Sequence, residues 1–210
     1  MRTFTRVDVM AFDGVMEYYR EKVEALLSGL PERMTAIDVL ARDLSVEDRF
    51  GVVLREEAIP AGTLRFFAVA CARRALERER EQEPFRQLNG KPDLRYVPGP
   101  KSWAALNVAK QYAQGKVSDD ALACAFSQAW GAIPMGIGSN SNALTSAWAT
   151  TCPSARDAAM GASHQAILAA REHWPDLRVQ RTSVDRNKDG ALEGTWQVEC
   201  LRAMLTKEAP

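Results

Sequence analysis

Asp185, Asn187 and Asp189 place side-chain oxygens at alternate positions of a short run, with Gly190 sixth and Leu192 eighth. A calcium loop opens this way: three oxygens converge on a hard cation, and the glycine allows the sharp turn between them. The twelfth position, where a bidentate acid must close the cage, is Trp196, with Glu193 and Glu199 three residues to either side. Without that ligand a cation is held poorly. The expectation is no metal site, and a polar turn leading into a last helix from about Leu192 to Leu205.

The other reactive residue types are dispersed. His164 and His173 are nine apart, which suits neither two ligands on one helix face nor a zinc finger. Cys71, Cys124, Cys152 and Cys200 are too scattered for a zinc ribbon. In a long chain with few loops they are expected to be free thiols serving as small core residues. There is no G-x-S-x-G elbow and no recognisable cysteine-protease context. The stretch from Gly136 to Asn142 is rich in Gly, Ser and Asn but lacks the Lys-Ser/Thr ending of a phosphate loop. It is expected to be a surface loop, with contact to a ligand or partner the open alternative. Arg73, Arg74, Arg78 and Arg80 alternate with Glu77, Glu79, Glu81 and Glu83, the pattern of intrahelical ion pairs on a solvated helix end. No residue is thus assigned to catalysis or to metal binding, no cofactor is implied, and the binding residues stay unassigned.

Helical periodicity dominates the elements that would position such groups. Phe12, Val15, Met16, Tyr19, Val23, Leu26 and Leu27 recur at three- and four-residue steps, stopped by Gly29 and Pro31. Ser45 and Asp48 have the spacing of a helix start ahead of Phe50, Val53 and Leu54. Pro60 suits the first turn of a helix whose stripe is Leu64, Phe67, Ala68, Cys71, Ala72 and Ala75. Further helices carry Trp103 to Tyr112, closed by Gly115, then Leu122 to Ala129 after Ser118, then Ala147 and Trp148, then Pro153 to Trp174. Val179, Thr182 and Val184 favour a strand, but a lone strand has no partner, so 177–184 is read as coil. Trp130 and Trp148 close two similar small-residue segments, read as two helices with like packing rather than a ladder for ligand stacking.

Pro84 to Pro100, with Asn89-Gly90 and Pro98-Gly99-Pro100, is the main break. It is read as a long surface loop across one helical domain, residues 1–210, with an internal division at 84–100 left open. The fold class is all-α, about eight helices in a bundle or irregular helical array.

Lys plus Arg and Asp plus Glu both number 27, so the chain carries no cationic excess for phosphates, and nucleic acid is not the default partner. Zero net charge also weakens the repulsion that opposes self-association, so a homo-oligomer stays open. No run reaches the roughly 20 apolar residues of a membrane span. Phe4 and its neighbours lead into no secretory apolar stretch. The expected location is cytoplasmic.

The stretches Thr35 to Ala41, Val52 to Glu57, Phe66 to Arg74, Ala109 to Asp120 and Trp196 to Arg202 occur in an order that resembles a family of Ala-rich helical proteins of bacteria and their phages. These are identified as immunity proteins of polymorphic-toxin loci. The resemblance spans residues 34 to 205, and the chain departs from it at the loop from Ile133 to Asn142 and at Pro153. It implies a protein that neutralises a partner by binding it. The expectation is a non-enzymatic helical module that binds another protein. The alternatives are a phage- or particle-associated component that self-assembles through apolar helix faces, and a small-ligand-binding protein.

Overall fold

Short hydroxyl side chains, several followed by an acid three residues later, begin most of the helices. The computed structural model describes residues 2–11, 23–24, 27–82, 87–88, 91–92, 97–133, 141–172 and 182–207. Its elements are β1 (Thr3–Thr5), α1 (Arg6–Ala11), β2 (Arg33–Thr35), α2 (Ala36–Leu40), α3 (Val46–Val53), α4 (Ala61–Gln82), β3 (Gln87–Leu88), β4 (Lys91–Pro92), α5 (Pro100–Ala113), α6 (Asp119–Trp130), α7 (Asn142–Ala149), α8 (Ala155–Arg171) and α9 (Ser183–Lys207). The fold is therefore an all-α helical array, with nine helices and two small antiparallel strand pairs among the described residues. Most of the helix expected from Phe12 to Leu27 lies outside them.

Ser45 Oγ accepts from Asp48 N at 3.0 Å, the start expected for α3. Ser118, Ser141 and Ser154 cap α6, α7 and α8 likewise. One strand-to-helix turn is used twice. Phe4 to Ala11 and Met34 to Ala41 share Thr, Asp, Val and Ala at matching positions. In each, the threonine N–H donates to the aspartate at 2.7 Å, and the aspartate N–H returns to the threonine hydroxyl. Phe4 pairs with Met34 across β1 and β2, so the two copies face one another about that pair. The Thr5 hydrogen bonds hold the Asp8 carboxyl below its ordinary range.

α4 is the axis of the array. Its expected stripe, Leu64, Phe67, Ala68, Cys71, Ala72 and Ala75, is entirely buried, against α5, α7 and α8. Phe67 meets Phe50 of α3 edge-on at 5.5 Å. α8 presents Ala158, Ala159, Ala162, Ala166 and Ala169, so it packs closely. A Cβ on Gly161 would stand 3.1 Å from that of Ala149 on α7. Buried residues from Phe4 to Leu205 form one cluster, so the helices on both sides of the 84–100 break share a core. Inside that break, β3 and β4 form a short pair that periodicity did not indicate.

Two expectations about charged residues are corrected together. The run at the end of α4 is only in part a solvated face: Arg73, Arg80 and Glu81 are exposed, while Arg74 and Arg78 turn to another helix. Arg74 Nε donates to Glu193 Oε2 of α9 at 2.9 Å, and Arg78 NH1 lies 2.5 Å from the same oxygen, off the hydrogen-bond direction. Glu193 is 0% exposed, and Glu79 is buried too. Nor does the last helix wait for Leu192. Thr182 and Asp185 form a capping box, with Thr182 N donating to Asp185 Oδ2 at 2.9 Å and Asp185 N to Thr182 Oγ1 at 3.2 Å. α9 therefore begins at Ser183, and the calcium-like residues are helical. Residues two apart on a helix point about 200° away from each other, so the Asn187 oxygen cannot converge with those of Asp185 and Asp189.

The rest of the Glu193 network joins a third helix. Gln197 Nε2 donates to Glu193 Oε1 at 3.2 Å and to the Ser163 carbonyl of α8 at 3.1 Å. Ser163 Oγ donates to Gln197 Oε1 at 2.7 Å. Glycines let α9 sit this near: a Cβ on Gly190 would meet Arg171 at 2.6 Å, and one on Gly194 would meet Val46 Cγ2 at 2.8 Å.

Removing one side of a buried ion pair leaves the other charge uncompensated. Glu193→Ala is expected to lower unfolding stability by about 3–5 kcal/mol in urea titration. Gly194→Ala overpacks against a stiff β-branched neighbour and should cost about 1–3 kcal/mol. The same change made with Val46→Ala should cost clearly less than the sum of the two single changes. Strict additivity in a double-mutant cycle would refute that contact.

Candidate functional site: the outward face of α6

Ser118 caps α6, and Asp119 and Asp120 in its first turn suit the positive end of the helix dipole. Leu122, Ala125 and Ala129 are buried on the side where α6 packs against α5 and α7. The opposite side exposes Ala123, Cys124, Ser127, Gln128 and Trp130. Trp130 is 47% exposed, and its ring centroid lies 4.9 Å from that of Trp148 on α7. Trp148 in turn stands 5.0 Å from Phe126. Trp148 is half-buried, with its indole Nε1 shielded from water and without a hydrogen-bond partner among the described residues. The two tryptophans read as parallel packing solutions are thus in contact, and one of them faces solvent.

Sequence reasoning missed a signal for this face. From Ala121 to Ala155 the chain has no Asp, Glu, Lys, Arg or His, although 26% of its residues are charged. The span covers nearly all of α6 and the whole of α7. Depletion of charge with aromatic enrichment is the compositional mark of an interface core.

A second polar cluster lies at the foot of α6. Tyr112 Oη donates to Asp119 Oδ1 at 2.6 Å, and the Arg65 guanidinium lies over the Tyr112 ring, 4.6 Å from its centroid. Arg65 also donates to the carbonyls of Cys152, at 3.0 Å, and Pro153. The hydrogen bond to Asp119 raises the Tyr112 pKa, while burial lowers that of Arg65 and raises that of Cys152. This cluster ties α4, α5, α6 and the α7–α8 turn together.

His164 is exposed on α8, and His173 lies outside the described residues. So do most of the residues from Gly136 to Asn142; Ser141 caps α7, and Asn142 is its first residue. Among the described residues, no three His, Cys, Asp or Glu side chains come together as a cation cage. No described helix is long and apolar enough to cross a membrane. All four cysteines are free: Cys71 is buried, Cys124 exposed, and Cys152 and Cys200 half-buried. The expectation of core thiols holds fully for Cys71 and fails for Cys124. No family model matches this chain, and neither a curated protein nor a solved structure matches it.

Burial pushes the Cys71 thiol well above its ordinary pKa, which keeps it protonated and unreactive at neutral pH. A disulfide reagent should therefore modify Cys124 first in the native protein, and Cys71 only on unfolding. Mass spectrometry of the time course checks this order, and early labelling of Cys71 would contradict the packing of α4.

Proposed function

We propose that this chain is a non-enzymatic helical module that binds a protein through the outward face of α6. The observation that carries the reading is Trp130: a large aromatic left 47% exposed, braced by Trp148, which itself packs against Phe126, within a charge-free span. Rigid aromatic anchors of this kind supply most of the free energy at protein interfaces. The polar constellations of the fold support a structural use for their own groups. Glu193 is engaged by Arg74, Arg78 and Gln197, and Tyr112 by Asp119 and Arg65. Side chains committed in this way hold helices together.

The resemblance to immunity proteins adds a setting, a toxin or defence component neutralised by docking. A particle component that self-assembles is the second reading, favoured by the balance of 27 cationic and 27 anionic residues, which leaves little repulsion between copies.

Immobilised wild-type chain should retain a discrete protein, and Trp130→Ala should retain it at least about tenfold less, with helical circular dichroism unchanged. Equal retention by both proteins would remove α6 as the contact face. Assemblies of many copies in light scattering would favour the particle reading.

A further inference from the structure

α4 and α9 meet as a ladder of side chains. Arg78 and Arg74 of α4 both reach Glu193, and one turn further along α9 the Trp196 ring takes Arg74, 4.5 Å from its centroid. Advancing on one helix retreats on the other, so the two run antiparallel where they touch. The next rung follows from helix spacing. Cys200 stands four residues beyond Trp196, and Cys71 three before Arg74, each one turn on along the same side of its helix. These steps set the two thiols opposite one another across the contact of α4 with α9.

Electrostatics agrees with that placement. Burial raises the Cys71 thiol pKa, and Glu193 and then Cys200 raise it further, so Cys200 lies within reach of its charge. Burial and then Glu193 also raise Cys200, against Arg74. The two thiols differ in access. Cys71 is 0% exposed, and Cys200 is half-buried. Exchange with a disulfide needs one sulfur that meets the reagent and a second that resolves the mixed disulfide, and the pair divides in this way.

We propose that Cys71 and Cys200 are a redox pair that joins α4 to α9 when the chain meets a low-molecular-weight disulfide. The Cys200 thiol loses its proton and attacks one sulfur of that disulfide, whose S–S bond breaks and releases a first small thiol. Cys71 then gives its proton to solvent, attacks the Cys200 sulfur and expels the second small thiol. The two cysteines are oxidised, and the reagent is reduced to two thiols. Cys71 never meets the reagent, in keeping with its burial. With both thiols held protonated, the pair closes more slowly than the exposed Cys124 is capped. Oxidation thereby fastens α9 covalently, two turns along from the carboxylate that sets its register.

Native full-length chain, treated with oxidised glutathione, quenched in acid and cut by trypsin without reduction, tests the pair. Peptide 66–73 is expected joined to peptide 189–202, in a yield several-fold above that from chain unfolded in urea. Closure should also raise the urea midpoint, because it constrains the unfolded chain, and dithiothreitol should reverse the rise. Cys200→Ser should abolish the joined peptide and leave Cys71 unmodified. Cys71→Ala should instead leave Cys200 carrying glutathione, and it serves alone if the first variant loses its helical circular dichroism. Full capping of Cys124 with no joined peptide overturns the proposal. So does Cys200 joined to another cysteine, or a native yield no higher than that in urea.

Discussion

The array depends on one buried carboxylate. Glu193 has no contact with solvent, and a charge taken out of water is tolerated only when opposite charge and hydrogen bonds replace its hydration. Arg74 and Arg78 of α4 and Gln197 of α9 supply these, and Gln197 passes the constraint to Ser163 of α8. The register of α9 against two other helices follows, since sliding it by one residue would bring an apolar or wrongly placed side chain to the arginines. Gly190 and Gly194 make the approach possible by leaving room for Arg171 and Val46. Trp196 lies beneath the Arg74 guanidinium, 4.5 Å from its ring centroid, and adds a cation–π contact at the rim of the same cluster.

The alanine content of the core has a consequence at the surface. α7 and α8 approach through Ala143, Ala147, Ala158, Ala159 and Ala162, and such close helices leave no space for an indole between them. The tryptophans described here accordingly sit at the margins. Trp103, Trp148 and Trp196 are half-buried against the core, and Trp130 is pushed out to solvent. Small residues inside and aromatics at the rim thus produce the α6 face with no special local device.

Local signals were readable wherever the physics is local. Ser45, Ser118 and the buried stripe of α4 act within a turn or two of themselves, so residue type and spacing reveal them. The Thr5–Asp8 and Thr35–Asp38 turns were equally legible as an internal repeat, although only their pairing through β1 and β2 makes the repeat structural. Thr182 and Asp185 show where such reading fails. Asp185 fits both the first position of a cation loop and the acid of a helix cap opened by Thr182, and residue type and spacing suit either. The helix prevails because its far end is anchored by Glu193, Gln197 and Leu201, which extends helical geometry back to the nearest available cap.

By itself the sequence determined the helical class, most helix starts and the stripe that faces the core, because these follow from backbone capping and periodic burial. It also determined the charge-free span from Ala121 to Ala155. Only the tertiary structure decided which partner each charge takes and which aromatic remains outside. The arginines at the end of α4 have acids of their own helix three and four residues away, yet two of them reach Glu193, some 115 residues further along the chain. Burial makes a long-range pair worth more than exposed neighbours screened by water. In the same way, Trp130 and Trp148 are alike in sequence context, and only the packing of α6 against α7 leaves one half-buried and the other presented to solvent.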